Sequence, residues 1–140
     1  MLFPKNVKHR KWQTDRKDLS KKVATRGTKL QFGSYGLRSL SGSRVFSNQI
    51  EAARKVVSRT LGKTGRYWIR IFPDRPITGK PAEVGMGKGK GDLQAYCFEV
   101  EPGRIIFEVD GVSEAVAREA LRKASCKLPV TTRTISRDDM

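Results

Sequence analysis

The apolar positions of the chain recur with two different periods, and the longer period predicts two helices. From Ser47 to just before Gly62 apolar residues return every three to four positions, with Ser47 as the N-cap. A second stretch of this kind starts at Ser113 and is stopped by Pro129. The predicted inner faces consist of Ile50, Ala53, Val56, Val57 and Leu61 in the first helix and of Val116, Ala120, Leu121, Ala124 and Leu128 in the second.

Alternating apolar and polar positions, and short apolar runs bounded by turn residues, predict strands. The predicted strands cover residues 28–38, 66–72, 93–100, 104–109 and 130–135. Glu101–Gly103 has the composition of a tight turn, residues 39–44 that of a loop, and the three prolines in residues 73–81 that of a stiff, irregular connector. Strands mixed with two helices, without regular βαβ units, predict an α+β fold: a largely antiparallel sheet with both helices packed on it.

The length of 140 residues is typical of a single domain. Residues 1–29 form a basic arm whose apolar residues are too irregularly spaced for a helix, so we expect it to be extended until it meets a partner. Residues 30–140 are predicted to form one α+β domain with a protruding loop at 73–91. Its predicted core includes Ile50, Val57, Ile69, Ile71, Phe98, Ile106 and Leu121.

Positive charge is concentrated in the first two thirds of the chain. The formal net charge is +15, and residues 1–44 alone carry 12 basic and 2 acidic side chains, whereas residues 92–140 carry 7 and 9. Such an uneven distribution favours binding to a polyanion through release of its counterions. Nucleic acid is the leading candidate partner. The alternatives are an anionic membrane surface, which the irregular apolar spacing of the arm disfavours, and a solvated tail without a partner.

Residues 85–91, called the Gly-Lys loop below, contain four glycines and two lysines. Glycines allow close approach of the backbone to a ligand, and lysines supply point charges, so phosphate is the ligand that this composition favours. The spacing is not that of a nucleotide-binding P-loop, because neither lysine is followed by Ser or Thr and the next element is a strand. A flexible surface loop without a ligand is the alternative.

The remaining residues give no sign of catalysis, a metal or a cofactor. Cys97, Cys126 and His9 are too few and too scattered for a zinc site, and both cysteines are expected to be buried in a reducing compartment. The carboxylates of the last third are expected to be solvated or paired with arginines; they include Glu99, Glu101, Glu108 and Glu119. The sequence predicts neither a transmembrane helix nor a secretory signal, and hence a soluble intracellular protein.

Several short motifs in a fixed order resemble one known family. They are Phe32–Leu37 (FGSYGL), Gln49–Arg54 (QIEAAR), Trp68–Thr78 (WIRIFPDRPIT), Met86–Gly91 (MGKGKG), Pro102–Gly103, Ala117–Ala120 (AREA) and Lys127–Pro129 (KLP). Together with the opening Met-Leu-x-Pro-Lys they resemble the bacterial and organellar large-subunit ribosomal protein L-sixteen, the universal uL-sixteen family. The resemblance covers essentially the whole chain and departs at Gly85, where most members carry arginine.

The resemblance implies a structural, non-enzymatic protein on large-subunit rRNA that helps to shape the aminoacyl-tRNA (A) site near the peptidyl transferase centre. The implied partners are rRNA, A-site and P-site tRNA and neighbouring ribosomal proteins, on a cytoplasmic or organellar ribosome. The alternative is a free-standing RNA-binding assembly or chaperone factor. The candidate rRNA-binding residues are Lys5, Lys8, Arg10, Lys11 and Arg16 in the arm and Arg38, Arg44, Arg54, Arg59, Arg66 and Arg70 in the domain. The candidate tRNA-proximal residues are Met86, Gly87, Lys88, Gly89, Lys90 and Gly91.

Overall fold

A computed structural model of the protein describes residues 1–139. Its elements are β1 (Tyr35–Ser39), β2 (Ser43–Phe46), α1 (Ser47–Leu61), β3 (Arg66–Ile69), β4 (Arg75–Gly79), β5 (Asp92–Val100), β6 (Ile105–Asp110), α2 (Glu114–Ser125) and β7 (Thr132–Ser136). Two single turns of 3-10 helix, Leu19–Lys21 and Arg137–Asp139, complete them. This confirms the predicted α+β class.

The strands form two antiparallel sheets rather than one. The first sheet has the order β3-β6-β1-β7 and the second the order β2-β5-β4. The predicted turn at Glu101–Gly103 is present, but the two strands that it joins lie in different sheets. The chain therefore crosses between the sheets at this turn instead of forming a hairpin.

The main core lies between the two helices and both sheets. Leu37, Phe107 and Val109 of the first sheet, together with Val45 and Val100 of the second, pack with the inner faces of α1 and α2. The opposite face of the first sheet is covered by the chain leading into β1, and it holds a small second cluster of Leu30, Ile105 and Ile135. Of the predicted core residues, Ile69 and Phe98 are only partly buried, and the other five are buried.

Both helices were predicted, with differences at their ends and on one face. In α1 the predicted Ser47 is the first helical residue, and the N-cap is Phe46, whose N–H donates to Gln49 Oε1 at 2.9 Å. Four residues of its predicted inner face, Ile50, Ala53, Val57 and Leu61, are buried, whereas Val56 is only half-buried. In α2 the predicted Val116 is exposed, and the neighbouring Ala117 is buried in its place. The small Ala117 side chain allows close approach of the backbones where α2 packs.

Four strand predictions needed correction. The strand predicted over residues 66–72 ends at Ile69. Residues 28–34 are not a strand, because the amides of Gln31, Phe32 and Gly33 donate to the Glu108 carboxylate instead of to a neighbouring strand. Residues 43 and 44, predicted as the end of a loop, belong to β2 (Ser43–Phe46). The predicted connector at 73–81 contains β4, in which Pro76 is tolerated because β4 is an edge strand. The boundary between the arm and the domain at residues 29 and 30 stays a prediction.

Candidate nucleic-acid interface

The arm follows the second sheet without forming a helix or a strand of its own in residues 1–18 and 22–29. Side chains of the sheet hold it by its main chain. Arg75 Nη2 donates to the Gln13 carbonyl at 2.9 Å, and Arg44 Nη2 donates to the Asp15 carbonyl at 3.2 Å. The Arg75 guanidinium also lies 5.6 Å from the centre of the Trp12 ring. The arm is thus extended, as expected, but its middle part is docked on the domain before any partner is present.

Glu99 of β5 is the charge at the centre of this docking site. Its carboxylate lies 3.0 Å from Lys17 Nζ, 2.9 Å from Arg75 Nε and 3.8 Å from Arg44 Nε, and its side chain is only 10% exposed. The hydrogen bond to Glu99 raises the pKa of Lys17 above its ordinary value. In the free protein Arg44 therefore holds the arm, through the Asp15 carbonyl, and also lies beside Glu99.

Most of the candidate cations of the arm are available to a partner. Lys5, Lys8, Arg10 and Arg16 are exposed, and within residues 1–139 none of them makes an ion pair. Lys11 is half-buried, and its ammonium donates to the Lys90 carbonyl at 3.4 Å. Four of the five candidate arm residues therefore carry an exposed, unpaired charge. They belong to a segment whose middle part is docked on the domain by Arg44 and Arg75.

The candidate arginines of the domain divide into two groups. Arg59 and Arg66 are exposed and Arg38 is half-buried, and none of the three makes an ion pair with another of residues 1–139. Arg54 instead pairs with Glu51 and donates to the Tyr67 hydroxyl at 3.2 Å, and the hydrogen bond from Arg54 lowers the pKa of Glu51. Arg70 pairs with the buried Glu108 at 2.7 Å.

The cations of α2 provide an internal comparison. Arg118 lies 2.8 Å from Glu114, and Glu119 lies 2.7 Å from Arg122 and 4.0 Å from Lys123. Each basic side chain of this helix thus has a carboxylate beside it. Glu119 pairs with basic residues of its own helix, whereas Glu99 and Glu108 pair with arginines of the first two thirds, and all three therefore have the arginine partners that were expected. Several exposed cations of the arm have no such partner within residues 1–139.

The Gly-Lys loop lies at the tip of a hairpin. β4 and β5 pair from Arg75 with Cys97 to Gly79 with Asp92, so the loop is closed by the sheet at both ends. Residues 81–90 are all exposed, and Met86 is fully so. Gly87, Lys88 and Gly89 have φ angles of 104°, 61° and 89°, a left-handed run in which glycine is favoured.

Contacts at the base of the Gly-Lys loop connect it to the arm. Lys90 Nζ donates to the Trp12 carbonyl of the arm. Within the hairpin, Lys80 Nζ donates to the Gly87 carbonyl in the middle of the loop. The contacts from Lys90 to Trp12 and from Lys11 to Lys90 place the arm and the loop side by side. Lys88 makes no ion pair within the described part of the chain. The arrangement presents one free lysine beyond an anchored base.

Two further polar residues were not singled out as site residues by the sequence. Glu108 is fully buried. Its position within the otherwise apolar run of β6 is the sequence signal that could have indicated it. Arg104 donates to the carbonyls of Arg26 at 3.2 Å and Arg70 at 2.9 Å. Burial, and to a smaller extent the charge of Arg70, lowers the pKa of Arg104.

Other kinds of site are not found in the described residues. Within residues 1–139 no three His, Cys, Asp or Glu side chains are grouped so that they could hold a metal ion. Over the same residues no helix has both the length and the apolar character needed to cross a bilayer. The expectation that both cysteines are buried was wrong for Cys126, which is exposed just after α2, while Cys97 is buried.

The sequence was then compared with known proteins. Residues 4–135 match the model of the family described as Ribosomal protein L16p/L10e. Two relatives named large ribosomal subunit protein uL16, from two strains of Caulobacter vibrioides (NA1000 / CB15N and ATCC 19089 / CIP 103742 / CB 15), are 52% identical over 139 residues, covering 99% of this chain and 95% of theirs. A relative of the same name from Halorhodospira halophila is 48% identical over 140 residues, the full length of both chains.

Proposed function

The chain belongs to the Ribosomal protein L16p/L10e family, and from this membership we propose that its arm binds rRNA while its Gly-Lys loop approaches tRNA in the A site. It is a structural constituent of the large ribosomal subunit and not an enzyme, and its partners are rRNA and other ribosomal proteins. Its location is the ribosome, in the cytoplasm. The roles proposed below for individual residues go further than this membership.

The proposed rRNA contacts rest on the cations that lack a partner among the residues that the structure describes. Lys5, Lys8, Arg10, Arg16 and Arg59 are exposed and unpaired among residues 1–139. A phosphate can therefore take each of them without breaking an ion pair, and the release of condensed counterions supplies the free energy. Because A-form grooves offer little for reading bases, these contacts recognise the shape of the RNA backbone.

The proposal that the Gly-Lys loop approaches tRNA rests on one observation, that the loop is anchored at its base and exposed from Gly85 to Lys90. The pairing of Gly79 with Asp92 and the contact from Lys90 to Trp12 fix its base, while residues 81–90 stay in solvent. Met86 and Lys88 are exposed, and neither side chain makes a hydrogen bond or ion pair with another of residues 1–139, although the backbone between them accepts a hydrogen bond from Lys80. Such a loop can extend from an rRNA-bound domain towards a second RNA, the tRNA, whose phosphates its lysine can contact.

The test is Lys88→Ala in ribosomes that carry the variant as their only copy of this protein. We expect the subunits to assemble normally and A-site tRNA accommodation to slow several-fold, because one contact between a charged group and phosphate is lost. Lys127→Ala is the matched control, since Lys127 is also exposed but follows α2. Accommodation at the wild-type rate by Lys88→Ala subunits would refute the proposed role of the loop.

A further inference from the structure

One surface combines an exposed and a half-buried aromatic ring with cations and is not explained by arm docking or by the Gly-Lys loop. It lies on the face of the first sheet opposite the helices. On β3, Arg66 and Trp68 share this face, because Trp68 pairs with Glu108 and Arg66 with Asp110. Phe32, from the chain before β1, stacks on Trp68 with ring centres 5.9 Å apart and planes inclined by 20°. We call Phe32, Arg66, Trp68 and Arg70 the aromatic stripe.

The buried Glu108 fixes the geometry of the aromatic stripe. One of its carboxylate oxygens accepts the N–H groups of Gln31, Phe32 and Gly33 at 2.7, 3.1 and 3.4 Å. The other oxygen accepts from Arg70 Nη1 at 2.7 Å, and the Arg70 guanidinium lies 5.4 Å from the centre of the Phe32 ring. The backbone that carries Phe32 is therefore held in place before any ligand binds, so binding requires little reordering.

The aromatic stripe is also open to solvent. Phe32 is 50% exposed although its ring is stacked, and β3 is an edge strand with no neighbour on its outer side. Arg66 of the stripe is exposed, and so is Lys29, whose carbonyl accepts a hydrogen bond from Arg70 at 3.3 Å. Neither Arg66 nor Lys29 makes an ion pair within the described residues. Asp110, opposite Arg66, is occupied by hydrogen bonds from Ser34 and Gly111. Partly exposed rings held in a fixed stack, with unpaired cations near them, match a nucleotide, whose base stacks while its phosphates meet the charges.

We propose that the aromatic stripe binds an unpaired base of rRNA by stacking, with the flanking phosphates on Arg66 and Lys29. This inference rests on the proposed function, because it names the RNA element that one part of the domain recognises. A base within a continuous A-form helix has both faces covered by its neighbours, so the stripe selects loops, bulges or ends over duplex. A protein partner on the same rings would show no such preference.

The test compares two RNA probes, a short single-stranded oligoadenylate and an A-form RNA duplex, with the full-length protein in low salt. Phe32→Leu removes the ring but no charge, and we expect it to lower the affinity for oligoadenylate by about 5- to 100-fold. The affinity for the duplex should stay within about twofold, because the duplex is bound by charge alone. Phe72→Leu is the matched control, since Phe72 is 43% exposed and is not stacked on another ring of residues 1–139.

A second readout uses Trp68 directly. In a Trp12→Phe protein Trp68 is the only tryptophan, and oligoadenylate, but not duplex, should quench its fluorescence. This readout decides the matter if Phe32→Leu fails to fold, and absence of quenching then overturns the inference. A folded Phe32→Leu protein that binds both RNAs like wild type, or loses both equally, also overturns it. Wild-type protein that binds neither RNA would instead refute the proposed rRNA binding.

Discussion

Glu108→Ala is expected to destabilise the protein more than any substitution of an exposed ion pair. The Glu108 side chain is fully buried and accepts hydrogen bonds from three backbone amides and from Arg70, whose side chain is 13% exposed. Removing one partner of a buried pair costs about 3–5 kcal/mol, because the other charge is left without compensation. Since Arg70 retains some contact with water, we expect a value near the lower end, about 3 kcal/mol.

Urea unfolding of purified protein, followed by circular dichroism, measures this loss. With a urea slope of about 2 kcal/mol/M, a loss of about 3 kcal/mol lowers the midpoint by about 1.5 M. Glu119→Ala is the matched control, because its side chain is 46% exposed and water screens its pair with Arg122, so the midpoint should change little. Glu108→Gln keeps an acceptor oxygen for the amides and should fall between the two. Equal midpoints for Glu108→Ala and Glu119→Ala would refute the role of Glu108 in fixing the chain before β1.

Two further predictions concern the glycines and the cysteines. A Cβ at Gly33 would lie 2.6 Å from the Val109 carbonyl oxygen, whereas at Gly85 it would meet nothing within 4 Å. Gly33→Ala should therefore cost about 1–3 kcal/mol in urea unfolding and Gly85→Ala less than about 0.5, and equal costs would contradict the packing of residues 31–34 on β6. Cys97 is buried and burial raises the pKa of its thiol, while Cys126 is exposed, so a thiol reagent at pH 8 should modify one thiol in folded protein and two in urea. Rapid modification of both thiols in the folded state would show that Cys97 is not in the core.

Elements formed by local sequence patterns were predictable. The inner face of α1 follows from the 3.6-residue period, and β5, β6 and β7 follow from apolar runs bounded by turn residues. The strands β2 and β4 were missed because Ser43 and Pro76 are poor strand residues, and pairing with β5 overrides that local preference. In α2 both Val116 and Ala117 fit the period, and only packing decides that alanine is buried.

The site was predictable only where it depends on composition. The positive arm and the Gly-Lys loop are evident in the sequence, and the structure places them side by side. Docking of the arm was not predictable, because Arg44 and Arg75 bind main-chain carbonyls, which every residue carries. The aromatic stripe depends on a stack between Phe32 and Trp68, which are 36 positions apart in the chain, and no local pattern indicates such a contact.

The salt dependence of binding to large-subunit rRNA tests the central claim, that free cations of the arm and the domain hold the protein on RNA. With about six phosphate contacts, affinity should fall by about 10³-fold between 50 and 200 mM salt. Replacing Lys5, Lys8, Arg10 and Arg16 by glutamine should lower the slope of log K against log salt by about three, at roughly 0.7–0.9 per contact. The same change at Arg118, Arg122, Lys123 and Lys127 should leave the slope unaltered, because three of these four already pair with carboxylates. A slope near zero for the wild-type protein, or equal losses of slope in the two variants, would contradict the account.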